Sequence, residues 1–109
     1  MGFLDKLFKD DINKGVRRFN KTPGAVLIDV RGEEDYKNGH IPGSINIPEP
    51  EINNIENMLI GKSTPIFVYC LSGAKSWNAT KALQALGYCN VQNIGGINKY
   101  TGKTETGDN

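Results

Sequence analysis

Two apolar runs stand out in an otherwise mixed chain. Pro65-Ile66-Phe67-Val68-Tyr69 is continuously apolar, aromatic and β-branched, the pattern of a strand buried on both faces of a parallel sheet. Ala25-Val26-Leu27-Ile28-Asp29-Val30 is the second such run, opened by the turn signal Thr22-Pro23-Gly24. Ser44-Ile45-Asn46-Ile47 and Asn90-Val91-Gln92-Asn93-Ile94 are shorter strand candidates. Between these runs the spacing turns helical. Ile12, Val16 and Phe19 share one face behind the cap candidates Asp10 and Asp11. Glu33, Glu34 and Asp35 open a short helix, where negative charge complements the dipole, and Gly39 ends it. Ile52, Ile55 and Leu59 mark one face of a helix predicted over 51–60, whose asparagines weaken its propensity so that packing must hold it. Ala79, Ala82, Leu83 and Leu86 fall at i, i+3, i+4 and i+7, with Gly87 suited to the C-cap.

Strands alternating with helices predict a parallel sheet covered on both faces, a small three-layer α/β domain. No repeat or linker divides it, so 1–109 reads as one domain. Residues 1–9, with Phe3, Leu4, Leu7 and Phe8 among charges, form a terminal amphipathic segment docked on it, and 101–109 a flexible polar tail. Lys and Arg exceed Asp and Glu by 13 to 12, which leaves no global field for nucleic acid or an anionic membrane. Attraction for anions must therefore be local. No run approaches the length of a membrane span, the N-terminus lacks a signal-peptide core, and Lys6 stands where a myristoylation signal needs Ser or Thr. Cys70 and Cys89 make no CxxC, zinc or disulfide pattern, which points to a reducing cytoplasm and keeps Cys70 a thiol.

The chemistry concentrates in Tyr69-Cys70-Leu71-Ser72-Gly73-Ala74-Lys75-Ser76. Cys70 falls where the strongest strand ends and a short loop enters a helix, the edge at which α/β sheets place ligands. Ser72, Gly73 and Ala74 are small enough for successive backbone N–H groups to point inward as an anion nest, and Lys75 adds a positive charge. A buried structural cysteine is the bland alternative. The nest and the cation argue against it and for a nucleophilic or sulfur-carrying thiol. Asp29 and Arg31 sit at the C-terminal end of the other buried strand and are read as tying loops together, Arg31 being also a weaker candidate for anion attraction, and Gly95-Gly96 lets backbone approach the loop closely. His40, the sole histidine, reads as a hydrogen-bonded structural residue, and Cys89 as structural. Trp77, in the first turn of the loop helix, either shields the site or packs.

Ile28-Asp29-Val30-Arg31, Gly39-His40-Ile41-Pro42-Gly43-Ser44-Ile45-Asn46-Ile47, the Cys70 loop and Gly95-Gly96-Ile97 succeed one another in the order and spacing of the rhodanese (sulfurtransferase) family, which the chain resembles. The resemblance implies a mostly parallel core of about five strands. It implies that Cys70 attacks the outer sulfur of thiosulfate or another sulfane-sulfur donor and holds that sulfur as a persulfide. Cyanide, a thiol or a protein cysteine then accepts it. Leu71, Ser72, Gly73 and Ala74 would bind the donor through backbone N–H groups and Lys75 through its charge, while Ser76 caps the helix and closes the loop. No metal or organic cofactor is implied. Lys75 replaces the arginine usual in active members, and Tyr100 a tryptophan common after the Gly-Gly. Related phosphatases and arsenate reductases need an arginine six residues after the cysteine, where this chain has Ser76. The remaining rival is a persulfide carrier or partner-binding domain without turnover.

Overall fold

The computed structural model describes residues 11–108, so the amphipathic segment expected over 1–9 and the cap candidate Asp10 lie outside the described residues. The chain runs helix α1 (Asp11–Asn20), strand β1 (Val26–Asp29), helix α2 (Glu33–Asn38), strand β2 (Ser44–Asn46), a 3-10 helix (Glu49–Met58), strand β3 (Ile66–Cys70), helix α3 (Ala74–Ala85), strand β4 (Val91–Gly96) and a 3-10 turn (Ile97–Lys99). The strands form one sheet in the order β2-β1-β3-β4, and every pairing is parallel. Four strands therefore stand among the described residues, against about five implied by the resemblance.

Period-two alternation sorts the strand side chains into two cores. Ile28 of β1 and Ile66, Val68 and Cys70 of β3 face one side, where Ile52, Ile55, Ala79, Leu83 and Tyr88 cover them. Leu27, Phe67 and Tyr69 face the other, against Ile12 and Val16 of α1 together with Ile41 and Ile94. This is the three-layer arrangement that the alternating elements predict. A ten-residue helix such as α1 is too short to persist alone. Ile12, fully buried, and Val16 hold it in place, each contributing about 1.5–3 kcal/mol of apolar burial. Gly15 lets it approach, since a Cβ there would fall 2.4 Å from the Ile94 side chain.

Two expectations change. The segment predicted as an ordinary helix over 51–60 is a 3-10 helix with a proline in its first turn, and Ile52 and Ile55 are its buried residues. At three residues per turn these two stack one above the other. Leu59, placed on the same face by 3.6-residue spacing, instead takes a left-handed φ of 57° and stands 95% exposed. The polar tail is pinned rather than loose at Glu105. It forms an antiparallel bridge with His40 through two reciprocal backbone hydrogen bonds of 2.8 Å, and Gly107 N–H donates to Lys37 O at 2.8 Å. His40 is buried and stacks on Tyr36 at 3.8 Å, with its Nδ1 2.8 Å from Tyr36 O. A carbonyl only accepts, so Nδ1 carries a hydrogen.

Candidate functional site

β1 and β3 end side by side, with Asp29 opposite Tyr69, and the site is built on the two loops that leave these strands. After β3 the chain turns through 71–73 into α3. Gly73, the residue before the helix, sits at φ 105°, a conformation that glycine adopts without strain, and it has no side chain of its own to cap the helix. The sulfur of Cys70 does so instead: Gly73 N–H donates to Sγ at 3.0 Å and Ser76 N–H at 3.3 Å. Both N–H groups belong to the unsatisfied set at a helix start, where the dipole also favours negative charge. Cys70 itself is 2% exposed.

The loop lies on β4. A Cβ at Gly96 would fall 2.2 Å from Leu71 O and 2.6 Å from Ser72 Cα, so this glycine allows the close approach expected of the Gly-Gly pair. Asn98 N–H then donates to Leu71 O at 3.1 Å. Tyr100, in the family's tryptophan position, is partly buried against the α1-side core.

The loop after β1 is held by side chains. Asp29 is fully buried, and its carboxylate accepts from Arg31 N–H at 2.9 Å, from Nε at 3.1 Å and from Nη2 at 2.8 Å. Nη2 also donates to Gly39 O at 2.6 Å. Partial burial pulls the guanidinium down, but the hydrogen bonds and charge of Asp29 outweigh it and leave Arg31 above its ordinary range. Asn46 Nδ2 donates to both Asp29 O and Arg31 O, tying this loop to β2.

Between the two loops opens a cleft of about 260 Å³, with Cys70 among its lining. Leu71, Ser72, Ala74 and Lys75 line it from one side, and Arg31, Gly32 and Asp35 from the other. Gly73 and Ser76 are buried and do not line it. Ser76 departs further from expectation, because its hydroxyl caps nothing. It reaches Asn93 Oδ1 at 2.7 Å, Gly73 O at 3.1 Å and Cys70 Sγ at 3.3 Å. Asn93 is the residue that reading the chain as elements passes over. Its one local signal is an Asx turn, with Oδ1 accepting Gly95 N–H two residues on at 3.0 Å.

Leu71 and Trp77 are 59% and 47% exposed, so Trp77 does not pack into the core. Lys75 makes no ion pair among the described residues. Cys89 is exposed rather than buried, and it precedes β4 while Cys70 ends β3. The strands are parallel, which puts the two thiols at opposite edges of the sheet, separated by the length of β3, about 13 Å. Among the described residues no cluster of His, Cys, Asp and Glu could hold a metal ion, and no helix is long and apolar enough to cross a membrane.

Known proteins resemble this chain in sequence and in fold. Thiosulfate sulfurtransferase PspE of Escherichia coli K12 is 39% identical over 71 residues, covering 64% of this chain and 68% of PspE. The putative sulfur carrier protein YrkF of Bacillus subtilis is 36% identical over 80 residues, covering 72% of this chain and 43% of YrkF. The chain spans as little as a quarter of the length of the curated relatives it matches. Among solved structures, a rhodanese with anions from E. coli superposes with a TM-score of 0.70 at 34% identity, covering 76% of this chain and 99% of that one. Residues 12–103, which include both loops and all four strands, match the Rhodanese-like domain as a family, and the chain belongs to it.

Proposed function

We propose that this chain is a sulfurtransferase that moves sulfane sulfur from thiosulfate or a related donor to a thiophilic acceptor through a persulfide on Cys70. The observation that carries the reading is the placement of the Cys70 sulfur at a helix start, under two backbone N–H groups and beside a cleft open to solvent. The thiolate attacks the outer sulfur of thiosulfate, the S–S bond to the sulfonate breaks with its electron pair leaving on sulfite, and Cys70 keeps the persulfide anion. Cyanide or a thiolate then attacks the outer sulfur, giving thiocyanate or a new persulfide and returning the Cys70 thiolate. The N–H groups of Leu71, Ser72, Ala74 and Lys75 have no acceptor among the described residues and are the donors available to the terminal sulfur.

Intact-mass spectrometry after incubation with thiosulfate, before and after cyanide, tests this. The expected result is a gain of one sulfur confined to Cys70, discharged by cyanide with thiocyanate released over many turnovers, and no gain in Cys70→Ser. Turnover that survives Cys70→Ser overturns the mechanism. A carrier reading is favoured by one feature, Lys75, a point charge where arginine's planar fork would grip a sulfonate with two hydrogen bonds. It takes over if polysulfide or a persulfidated protein loads Cys70 and thiosulfate does not.

A further inference from the structure

Three charged side chains line the cleft beside Cys70: Arg31, Asp35 and Lys75. Arg31 is already spent, its Nη2 donating to Asp29 Oδ2 at 2.8 Å and to Gly39 O at 2.6 Å. Lys75, on the nest side, and Asp35, on the α2 side, form no ion pair among the described residues. Glu33 is paired with Lys37 at 3.0 Å, and neither it nor Glu34 lines the cleft. Asp35 is thus the uncompensated negative charge of the lining, set across from an uncompensated positive one.

The fold holds this carboxylate on its wall. Arg31 precedes α2 and Gly39 follows it, so the bond from Nη2 to Gly39 O straps the two ends of the helix together. Tyr36, the next residue, is buried and fixes the inner face, which leaves Asp35 exposed at the cleft. A first-turn carboxylate also complements the helix dipole, but Glu33 and Glu34 stand in the same turn and serve that purpose without reaching the cleft.

The two halves of sulfur transfer make different demands on these charges. An anionic donor calls on Lys75 and the backbone N–H groups. Once sulfite has left, the negative outer sulfur of the persulfide takes those same groups, and Asp35 is the charge that remains for the acceptor to meet. A bare thiolate is repelled by both the persulfide and Asp35. We infer that Asp35 is a specificity-determining residue that selects acceptor thiols carrying a positive charge beside the sulfur, an inference that rests on the sulfur-transfer reading above. The acceptor's ammonium or guanidinium meets the carboxylate while its thiolate bonds to the outer sulfur, and the electron pair of the broken S–S bond returns to Cys70.

The test compares Asp35→Asn with the native residue, both in a Cys89→Ser background, in two reactions of Cys70. The first is alkylation by cationic bromoethylamine, neutral iodoacetamide and anionic iodoacetate. Rates are read relative to the neutral reagent, which cancels any change in the thiolate fraction. Asp35→Asn is expected to slow the cation and to speed the anion by about fivefold each, the effect of one unit charge at close range in a solvent-like medium. The second is discharge of the Cys70 persulfide by cysteamine, mercaptoethanol and mercaptopropionate, with the same ordering expected. Peptides bearing lysine or glutamate beside their cysteine repeat the comparison, so that selectivity in them assigns a protein acceptor and selectivity in the small thiols alone an aminothiol. Asp35→Glu should keep the native selectivity, and added salt should shrink it. An equal change with all three charges, or a loss of selectivity in Asp35→Glu as large as in Asp35→Asn, overturns the inference, because Asp35 would then act on the fold. So does selective alkylation with unselective discharge. Alkylation needs no sulfur donor. Failure of thiosulfate and polysulfide to load the native protein therefore counts against sulfur transfer, whereas unselective alkylation counts against Asp35.

Discussion

The loop after β1 and the loop after β3 leave adjacent parallel strands at one edge of the sheet, and each runs into a helix, yet they meet their polar groups in opposite ways. In the first, a buried carboxylate takes up its own loop's N–H and clamps the guanidinium two residues on, which in turn holds Gly39 O. In the second, side chains meet only part of the loop: the Cys70 sulfur accepts two N–H groups, and Ser76 and Asn93 donate to Gly73 O. Gly73 and Gly96 bring backbone close, and four N–H groups, those of Leu71, Ser72, Ala74 and Lys75, are left without an acceptor among the described residues. Spending hydrogen bonds inside the first loop makes a rigid wall with little left to offer a ligand. Withholding them in the second leaves donors unmet, which the function proposed above assigns to an anion.

If the division is real, the two loops should fail differently when broken. Asp29→Ala should give the largest loss of stability, because it leaves a mostly buried guanidinium without its counter-charge. Such changes cost about 3–5 kcal/mol, and the 11% exposure of the Arg31 side chain places this one near the lower end. Urea denaturation should show the loss as a lower midpoint at an unchanged slope. Cys70 alkylation in the protein that remains folded should change less than about twofold, within the scatter of independent sites. A collapse of Cys70 reactivity in step with stability would mean that wall and nest are one unit.

Tyr69 sharpens the contrast from inside the sheet. It precedes Cys70 but points to the opposite core, where its hydroxyl accepts from Ile41 N–H at 3.0 Å and lies 3.1 Å from Ser44 Oγ. Burial holds its phenol well above the ordinary range, and the charge of Asp29 pushes the same way against the hydrogen bonds of Ser44 and Ile41. The unfolded chain gives up this proton near pH 10, before the folded one does, so between the two values the unfolded state binds fewer protons. Stability is thus fully present below about pH 10 and falls as pH rises beyond it. Tyr69→Phe should cost about 1–3 kcal/mol at pH 7 by stranding the Ile41 N–H, and should flatten the alkaline decline. An equally steep decline in that variant would assign it to another group, Tyr36 being the next whose phenol is raised by burial.

The position of Cys70 was legible because two patterns of different period meet there, an apolar run that has to be a strand and an i, i+3, i+4, i+7 face that has to be a helix. Asp29 and Arg31 were legible for the same reason, as charged residues ending a buried strand. What sequence left unread depends on contacts that no residue type announces. The bridge between His40 and Glu105 is made by backbone groups, which every residue carries. The 3-10 helix keeps Ile52 and Ile55 inward but turns Leu59 out, and the two helix types differ on that face only in the third position. Asn93 looks like an ordinary polar residue in a strand until the pairing of β4 with β3 sets it opposite Val68, on the face that carries the loop.

Lys75 is the finest probe of the comparison, because the proposed function uses its charge while the fold makes no ion pair with it among the described residues. It is exposed, lines the cleft and has no ion pair among the described residues, so substitutions should leave stability within about 0.5 kcal/mol. Its charge should still be felt by an anionic donor. At about 4 Å in a solvent-like medium one unit charge is worth about 1 kcal/mol, so Lys75→Ala should slow the loading of Cys70 by thiosulfate about fivefold. Lys75→Arg should raise loading above the native rate by about threefold, since a planar fork grips two sulfonate oxygens where an ammonium meets them as a point. Added salt should shrink both differences, as screening requires for an exposed charge. Equal loading in all three proteins would leave donor binding to the backbone N–H groups alone, and would make the nest complete without its cation.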